Sequence, residues 1–341
     1  MEISLNQKKI YTIAEIGHNH QGNVETAIEM FRQAKLCGAD AVKLQKRNNK
    51  ELYTKSFYET TYENKNSYGK TYGEHREKLE FDQDQYKTLI AYAKEIKIDF
   101  FVTPFDFSSV DFLEKLNFQA YKIASADLIN IPLVEHVAKT NKTIFLSTGG
   151  GNIEDVNRAK EAIFKYNKKL NILHCTASYP TEIADMNLKA IVTLKKRFPE
   201  IRIGLSDHEN GIDAGPIAYM LGATIFEKHF TLDRSKKGTD QAFSLEPIGL
   251  TKFVRNLKRV DIMLGSGEKK ILDCELEPLY KMKKSIVAKI FLKKGDIISL
   301  KNICYKSPGG GIEPYRTESL LGKKVLKDIA IDTKISFEHL E

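Results

Sequence analysis

The sequence predicts an α/β protein: a closed (β/α)8 TIM barrel followed by a small β-rich domain. Three observations carry this expectation. Short β-branched or apolar runs alternate with helix-spaced segments eight times over roughly 250 residues, the number and length of a (β/α)8 barrel. The turn after the first run, "GHNHQG", lacks the GxGxxG spacing typical of the competing open doubly wound sheet. Near residue 280 the helical periodicity fades into short β-like runs broken by "KKGD" and "SPGGG".

In order, the runs are IYTIAEIG (10–17), DAVKLQ (40–45), DFFVTPF (99–105), AYKIAS (120–125), TIFLSTG (143–149), NILHCTA (171–177), RIGLSDH (202–208) and TIFEKHFTL (224–232). Between them VETAIEMFRQAKLCGA, DQYKTLIAYAKEIKI and IEDVNRAKEAIFKYN place apolar residues at helical spacing, and LTKFVRNLKRVDIML follows the eighth run. The expected boundaries are 1–265 for the barrel, 266–283 for a linker and 284–341 for the β-rich domain. One connection is out of proportion. Residues 46–82 are polar and carry Tyr53, Tyr58, Tyr62, Tyr68 and Tyr72. Structureless loops of that length are uncommon and often functional, and a strand-to-helix loop lies on the catalytic face of a barrel. A substrate-covering role is expected, with a decorated surface excursion as the alternative.

Composition narrows the class. An apolar fraction of 42% and a charged fraction of 29% are ordinary for a globular protein. The net charge of +8 comes from scattered lysines with no basic run set in a nucleic-acid reader motif, so a solvated surface or an anionic small substrate accounts for it better than nucleic acid. Cys37, Cys175, Cys274 and Cys304 show neither zinc nor disulfide spacing and are expected to be reduced. With no leader pattern and no membrane-length apolar stretch, the cytoplasm is expected by elimination.

The chemistry lies at the strand ends. Glu15, Lys43, Gln45, Thr103, Lys122, Ser125, Ser147, Thr148, His174, Thr176, Ser206, Asp207, His208, Glu227 and His229 all fall there. A barrel gathers those ends at one mouth. Each residue alone could be a hydrogen-bonded rim group; eight coincidences together indicate an active site. Alternate strand residues share a face, which joins Lys43 with Gln45, Ser206 with His208, and Glu227 with His229. His208 and His229 lie on neighbouring strands about 4.8 Å apart. Two imidazoles so placed can share a first-row divalent cation and are too few for a closed zinc site; two separately satisfied histidines are the other reading. Lys43 and Lys122, on otherwise apolar strands, need either a carboxylate partner or an anionic ligand. With Thr103, Ser125, Ser147 and Ser206 nearby, a phosphate or carboxylate ligand is expected. A Schiff base on one lysine is the main rival chemistry.

The segments "AEIGHNHQGN", "GADAVKLQ", "VTPF", "YKIAS", "LSTGG", "HCTASYPT", "IGLSDHENG", "FEKHFTLD" and "KGTDQAFSLEP" closely resemble the sialic acid synthase (N-acetylneuraminate synthase) family, in order from about residue 10 to the C-terminus, where the tail resembles an antifreeze-like (SAF) domain. "NSYGKTYGEHREKLEF" is similar to the branch with the animal enzymes. The resemblance implies a metal-dependent condensation of phosphoenolpyruvate with an N-acylated hexosamine such as N-acetylmannosamine, by C–O cleavage. It implies manganese or magnesium on His208 and His229. It implies phosphoenolpyruvate on Lys43, Thr103, Lys122, Ser125, Ser147 and Ser206, and a carboxylate role for Glu15 near metal and sugar. Tyr179 and Asp240 match residues near the sugar and the reacting centre, and Gln45 is assigned to the sugar with them. His18 falls at a variable position, while Asn19 and His20 fit a turn-shaping pair, so neither histidine is expected to bind metal. Two departures stand out. Ala177 replaces an asparagine common in bacterial members, and Ser307 precedes "PGGG" where they carry an arginine that reaches the partner subunit's sugar; Lys306 or Arg316 are candidate substitutes. A domain-swapped homodimer is implied by resemblance alone. The 9-phosphate synthases, using a 6-phosphorylated sugar, and the legionaminate or pseudaminate type remain alternatives within the family. A Schiff-base aldolase and a non-catalytic carbohydrate-binding protein remain outside it.

Overall fold

Eight parallel strands close on themselves in chain order: β1 (Tyr11–Gly17), β2 (Ala41–Lys46), β3 (Asp99–Pro104), β4 (Ala120–Ile123), β5 (Thr143–Ser147), β6 (Leu170–Cys175), β7 (Arg202–Asp207) and β8 (Ile225–His229). β8 pairs back onto β1, from Ile225 opposite Tyr11 to His229 opposite Glu15. The coordinates are a computed structural model and describe residues 3–341. The expected (β/α)8 barrel is therefore present, its strand positions within a few residues of those read from the sequence.

Helices alternate with the strands along the chain: α1 (Val24–Leu36), α2 (Asn49–Leu52), α3 (Lys55–Tyr58), α4 (Tyr72–Glu77), α5 (Gln83–Glu95), α6 (Phe107–Lys115), α7 (Ile131–Lys139), α8 (Ile153–Phe164), α9 (Ala190–Arg197), α10 (Ala214–Met220) and α11 (Pro247–Leu264). Their starts are locally encoded. Reciprocal capping boxes pair Thr71 with Glu74, Asp82 with Gln85 and Asn152 with Asp155, satisfying backbone N–H groups that a helix start leaves free. Between helices and strands lies the main core, built from residues such as Phe31, Val42, Leu89, Val134, Ile172 and Phe253. The 46–82 connection is not structureless. It holds α2 to α4, and its tyrosines pack together, with Tyr72 against Tyr53 at 5.1 Å and against Tyr62 at 5.2 Å between ring centroids. Local helix-forming stretches within it were missed because each spans only a turn or two, below the length at which apolar periodicity shows.

Inside the barrel a second, smaller core forms a floor. Tyr11, Ile13, Ala41, Phe101, Ala120, Phe145, Leu173 and Ile225 fill it, with the Phe101 and Phe145 rings stacked at 4.9 Å. β7 contributes Gly204 here. A Cβ on it would lie 2.4 Å from Leu173 Cδ2 and 2.5 Å from the Ile225 carbonyl oxygen, so the floor is packed to the backbone at that point.

The chain divides into two compact units, the first ending at Leu264 and the second running Gly265–Glu341. The second contains α12 (Leu276–Met282) and an antiparallel pair, β9 (Ser285–Ala288) with β10 (Ile303–Lys306). Its own core includes Ile286, Leu292, Ile298, Leu320, Val325 and Ile335. Among the described residues no helix is long and apolar enough to cross a membrane.

Candidate active site

Strand alternation carries the floor directly into a polar layer. Two residues beyond Ile13, Ala41, Phe101, Ala120, Phe145, Leu173, Gly204 and Ile225 stand Glu15, Lys43, Thr103, Lys122, Ser147, Cys175, Ser206 and Glu227. Two further on stand Gly17, Gln45, Phe105, Ala124, Gly149, Ala177, His208 and His229. Successive steps of two keep one strand face, so both sets rise from the floor toward the mouth. All but Gly17 line a cavity of about 710 Å³. The β1–β2 and β1–β8 registers set Lys43 and His229 on either side of Glu15.

The layer's charges are in contact. Lys43 Nζ lies 2.8 Å from Glu15 Oε2, 3.7 Å from Glu227 Oε1, and donates to Thr103 Oγ1 at 2.8 Å. Lys122 Nζ donates to Glu227 Oε1 at 2.8 Å, and Ser206 Oγ donates to the same oxygen at 3.1 Å. Gln45 Nε2 donates to Glu15 Oε1 at 2.7 Å. Both lysines thus have carboxylate partners, one of the two alternatives that burying them on apolar strands left open. Ser125 Oγ accepts from the Gly149 N–H at 3.0 Å, and Ser147 Oγ is buried with no hydrogen-bond partner.

Environment separates the two carboxylates. Burial works to raise Glu227, but Lys122 and Lys43 outweigh it and hold the group at about 2. Burial raises Glu15, against the pull of Lys43 and with the push of Glu227. Glu227 is the fixed anion and Glu15 the group that can carry a proton, the divergence that marks an acid or base. Burial also lowers Lys122, against Glu227.

The two imidazoles meet at the rim. The His208 and His229 rings are 5.2 Å apart between centroids. His208 Nδ1 lies 3.0 Å from the Thr176 carbonyl oxygen. As donor to it, Nδ1 carries the proton and leaves the Nε2 lone pair free. His229 Nδ1 is buried without a hydrogen-bond partner, 3.8 Å from Asp240 Oδ2. Burial lowers His208 to about 3, helped by His229, and lowers His229 to about 4. Both rings are neutral at neutral pH, as ligands must be. Among the described residues no three acidic, His or Cys side chains form a ready metal cage. A pair of neutral imidazoles, one with an orphaned nitrogen, does fit a divalent cation whose remaining positions are left to water or substrate. Tyr179 packs its ring 4.2 Å from that of His208. Asp240 closes the opposite side: a Cβ on Gly17, at φ +54°, would sit 3.3 Å from Asp240 Oδ2, Gln45 Nε2 and Glu15 Oε1 alike.

Some strand-end residues face away. His174 Nε2 is 2.8 Å from the Met186 carbonyl, Thr176 Oγ1 donates to the Asp185 carbonyl, and Thr148 Oγ1 donates to that of Leu173. Asp207 is paired with Lys228 at 2.7 Å, buried outside the cavity. Each lies one residue out of step with the inward face. His18 and His20 also stay out of the cavity lining. His20 stacks on Phe81 at 4.1 Å, and Asn19 Nδ2 donates to the Phe230 carbonyl, bracing the turn. Sequence reasoning left Glu227 without a role, although its place two residues before His229 put it on the inward face. It also missed Cys175, Arg47, which continues the inward step of Lys43 and Gln45 just past the end of β2, and Arg76, which lines the cavity from outside any strand repeat. In the second unit Ser307 Oγ accepts from Lys284 Nζ at 2.6 Å, Lys306 pairs with Asp332, and Arg316 lies 3.6 Å from Glu313.

Residues 30–269 match the sequence profile of the NeuB family. N-acetylneuraminate-9-phosphate synthase from Mus musculus is 40% identical over 332 residues, covering 97% of this chain and 92% of that protein. N,N'-diacetyllegionaminic acid synthase from Campylobacter jejuni is 37% identical over 332 residues, covering 96% and 99%. The crystal structure of N-acetylneuraminic acid (sialic acid) synthetase from Leptospira borgpetersenii, solved with citrate, superposes with a TM-score of 0.68 at 32% identity, covering 80% of this chain and 90% of that one.

Proposed function

The chain belongs to the NeuB family, and from that premise we propose that it condenses phosphoenolpyruvate with an N-acylated hexosamine, releasing phosphate and a nine-carbon ulosonic acid of the N-acetylneuraminate type. The observation that carries the reading is the meeting, in one cavity, of two Lys–Glu pairs and two neutral imidazoles.

In this reading Lys43 and Lys122, with Thr103, Ser125, Ser147 and Ser206, hold the carboxylate and phosphate of phosphoenolpyruvate through charge-assisted hydrogen bonds. Gln45, Tyr179 and Asp240 hold the sugar. His208 and His229 would hold a divalent cation, manganese or magnesium. When bound, it supplies Lewis-acid polarisation of the open-chain aldehyde. C3 of phosphoenolpyruvate then forms a bond to the aldehyde carbon, whose oxygen takes a proton that Glu15 gives in this reading. The positive charge left at C2 is met by water, which loses a proton toward Asp240 or Glu15. The C2–O bond breaks, phosphate departs with its bridging oxygen and takes up the proton of the C2 hydroxyl, and C2 becomes a ketone. Glu227 stays ionised and holds Lys122 in an ion pair, as Glu15 holds Lys43, so in this reading neither amine attacks carbon. The Schiff-base alternative requires a free amine where both amines are ion-paired.

Purified protein with manganese, phosphoenolpyruvate and a panel of free N-acetylmannosamine, its 6-phosphate and diamino sugars, read by phosphate release and product mass, tests this. A sugar-dependent condensation product is expected, with loss of activity on chelation. A pyruvate adduct trapped by borohydride, or no consumption of phosphoenolpyruvate with any sugar, refutes it. We further read the second unit as an antifreeze-like (SAF) domain that covers a partner's barrel in a cytoplasmic homodimer; mass measured across a dilution series tests the dimer, a monomer at working concentration refuting it.

A further inference from the structure

We propose that Arg47 and Arg76 form a phosphomonoester subsite in this cavity and that the sugar it accepts carries a phosphate on its tail. The inference rests on the preceding reading, because it names the class of hexosamine that reading leaves open.

Arg47 follows β2, two residues after Gln45, and Arg76 comes from α4 within the 46–82 excursion; both line the cavity. Arg47 is 8% exposed. Its guanidinium carbon lies 3.7 Å from the centroid of the Phe105 ring, Nη2 donates to Gln45 Oε1 at 2.7 Å, and Nη1 lies 3.1 Å from His18 Nε2. Arg76 donates from Nε and Nη2 to the Tyr72 hydroxyl at 3.0 and 2.8 Å, and its Nη1 lies 3.3 Å from His18 Nδ1.

This network has one donor too many. Guanidinium N–H groups face both ring nitrogens of His18, yet a neutral imidazole has a single lone pair. Protonation of His18 makes matters worse, and burial with the two guanidiniums pushes it well below its ordinary value. Among the described residues neither guanidinium makes an ion pair. Glu80 Oε2 is taken by Lys46 Nζ at 3.0 Å and by the Arg47 backbone N–H at 3.1 Å, and Asp240 acts on Arg76 and His18 through space without contact. Glu80 acts on Arg47 through space in the same way, and two largely desolvated cations with no anion in contact are costly. The missing partner is an acceptor-only group with several oxygens, which a phosphate supplies and planar guanidiniums bind in pairs.

Position assigns that phosphate to the sugar. Gln45 stands between the two charge systems, its Oε1 accepting from Arg47 and its Nε2 donating to Glu15. The guanidiniums therefore lie across Gln45 from the Lys–Glu pairs that serve phosphoenolpyruvate. A sugar whose aldehyde faces the imidazoles can extend its far end toward α4.

The test is steady-state kinetics of the full chain with manganese and phosphoenolpyruvate, comparing free N-acetylmannosamine with its 6-phosphate. Wild type is expected to favour the 6-phosphate by about tenfold or more in kcat/KM. Arg76→Gln should raise KM for the 6-phosphate about tenfold more than KM for the free sugar or phosphoenolpyruvate, and Arg76→Lys should recover part of the loss. Arg47→Gln is measured alongside, with thermal melting as the check of folding; if it does not fold, the wild-type ratio and the Arg76 pair decide. Equal use of both sugars by wild type, or a KM rise that falls on phosphoenolpyruvate, overturns the subsite and leaves the condensation standing. Failure to consume phosphoenolpyruvate with either sugar overturns both.

Discussion

The barrel floor and the layer above it are made by the same eight strands, two residues apart, and they obey opposite rules. The floor is apolar and packed to the point that Gly204 has no room for a methyl group. The next layer buries two lysines and two glutamates in contact, with Lys43 and Lys122 2% and 3% exposed. Buried ion pairs are poor stabilisers, since desolvation offsets most of their attraction, and apolar residues of similar volume often do as well. The floor thus answers to folding, and the layer above it to charge held ready for a substrate.

Exchanges between these layers test the contrast, and the largest effect is expected in the polar one. Glu227→Gln should lower kcat by about 10²–10⁴-fold while the barrel still melts cooperatively, because it unpairs Lys122 and takes the second carboxylate away from Lys43. A loss below tenfold would make the layer structural. Phe145→Ala in the floor should do the reverse, costing about 3–5 kcal/mol in denaturant unfolding with turnover per folded molecule largely kept. Gly204→Ala should cost about 1–3 kcal/mol by overpacking; an unchanged midpoint would show that Leu173 yields freely.

The smallest effect is in pH. Both rim imidazoles have depressed values, His208 at about 3 and His229 at about 4, so between those values and the ordinary 6.5 the unfolded chain binds the extra protons. Their contribution is complete above 6.5 and lost as pH falls toward 4. Glu227, lowered from 4.5 to about 2, acts with the same sign over a more acid window. The melting temperature should fall from pH 7 to pH 4, less steeply in His208→Asn. A wild-type profile flat across that range contradicts buried neutral rings.

Most of this division is legible in the sequence because strand period and layer period coincide. Once Ile13, Ala120 and Ile225 are placed on the inward face, Glu15, Lys122 and Glu227 must share it. The same rule, applied one residue off, accounts for His174, Thr176 and Asp207 facing outward: the alternation joined Lys43 with Gln45, Ser206 with His208 and Glu227 with His229 but was not carried to these three. Arg47 lies one step past Lys43 and Gln45 and was within reach of the same rule; Arg76 was not. It arrives on a segment whose path depends on tertiary packing, such as Tyr68 donating to the Lys237 carbonyl at 2.6 Å, and no local period records that. The partnering of each lysine by a carboxylate was equally hidden, since Glu227 and Lys122 are four strands apart in the chain and meet only across the closed barrel.

The account stands or falls on the fate of phosphoenolpyruvate carrying a heavy-oxygen label at its bridging position, incubated with the protein, manganese and the sugar panel. A nine-carbon acid together with labelled inorganic phosphate, both abolished by Glu227→Gln, is the predicted result. Unlabelled phosphate, release of free pyruvate in place of a condensed acid, or equal product from the Glu227→Gln variant would contradict it.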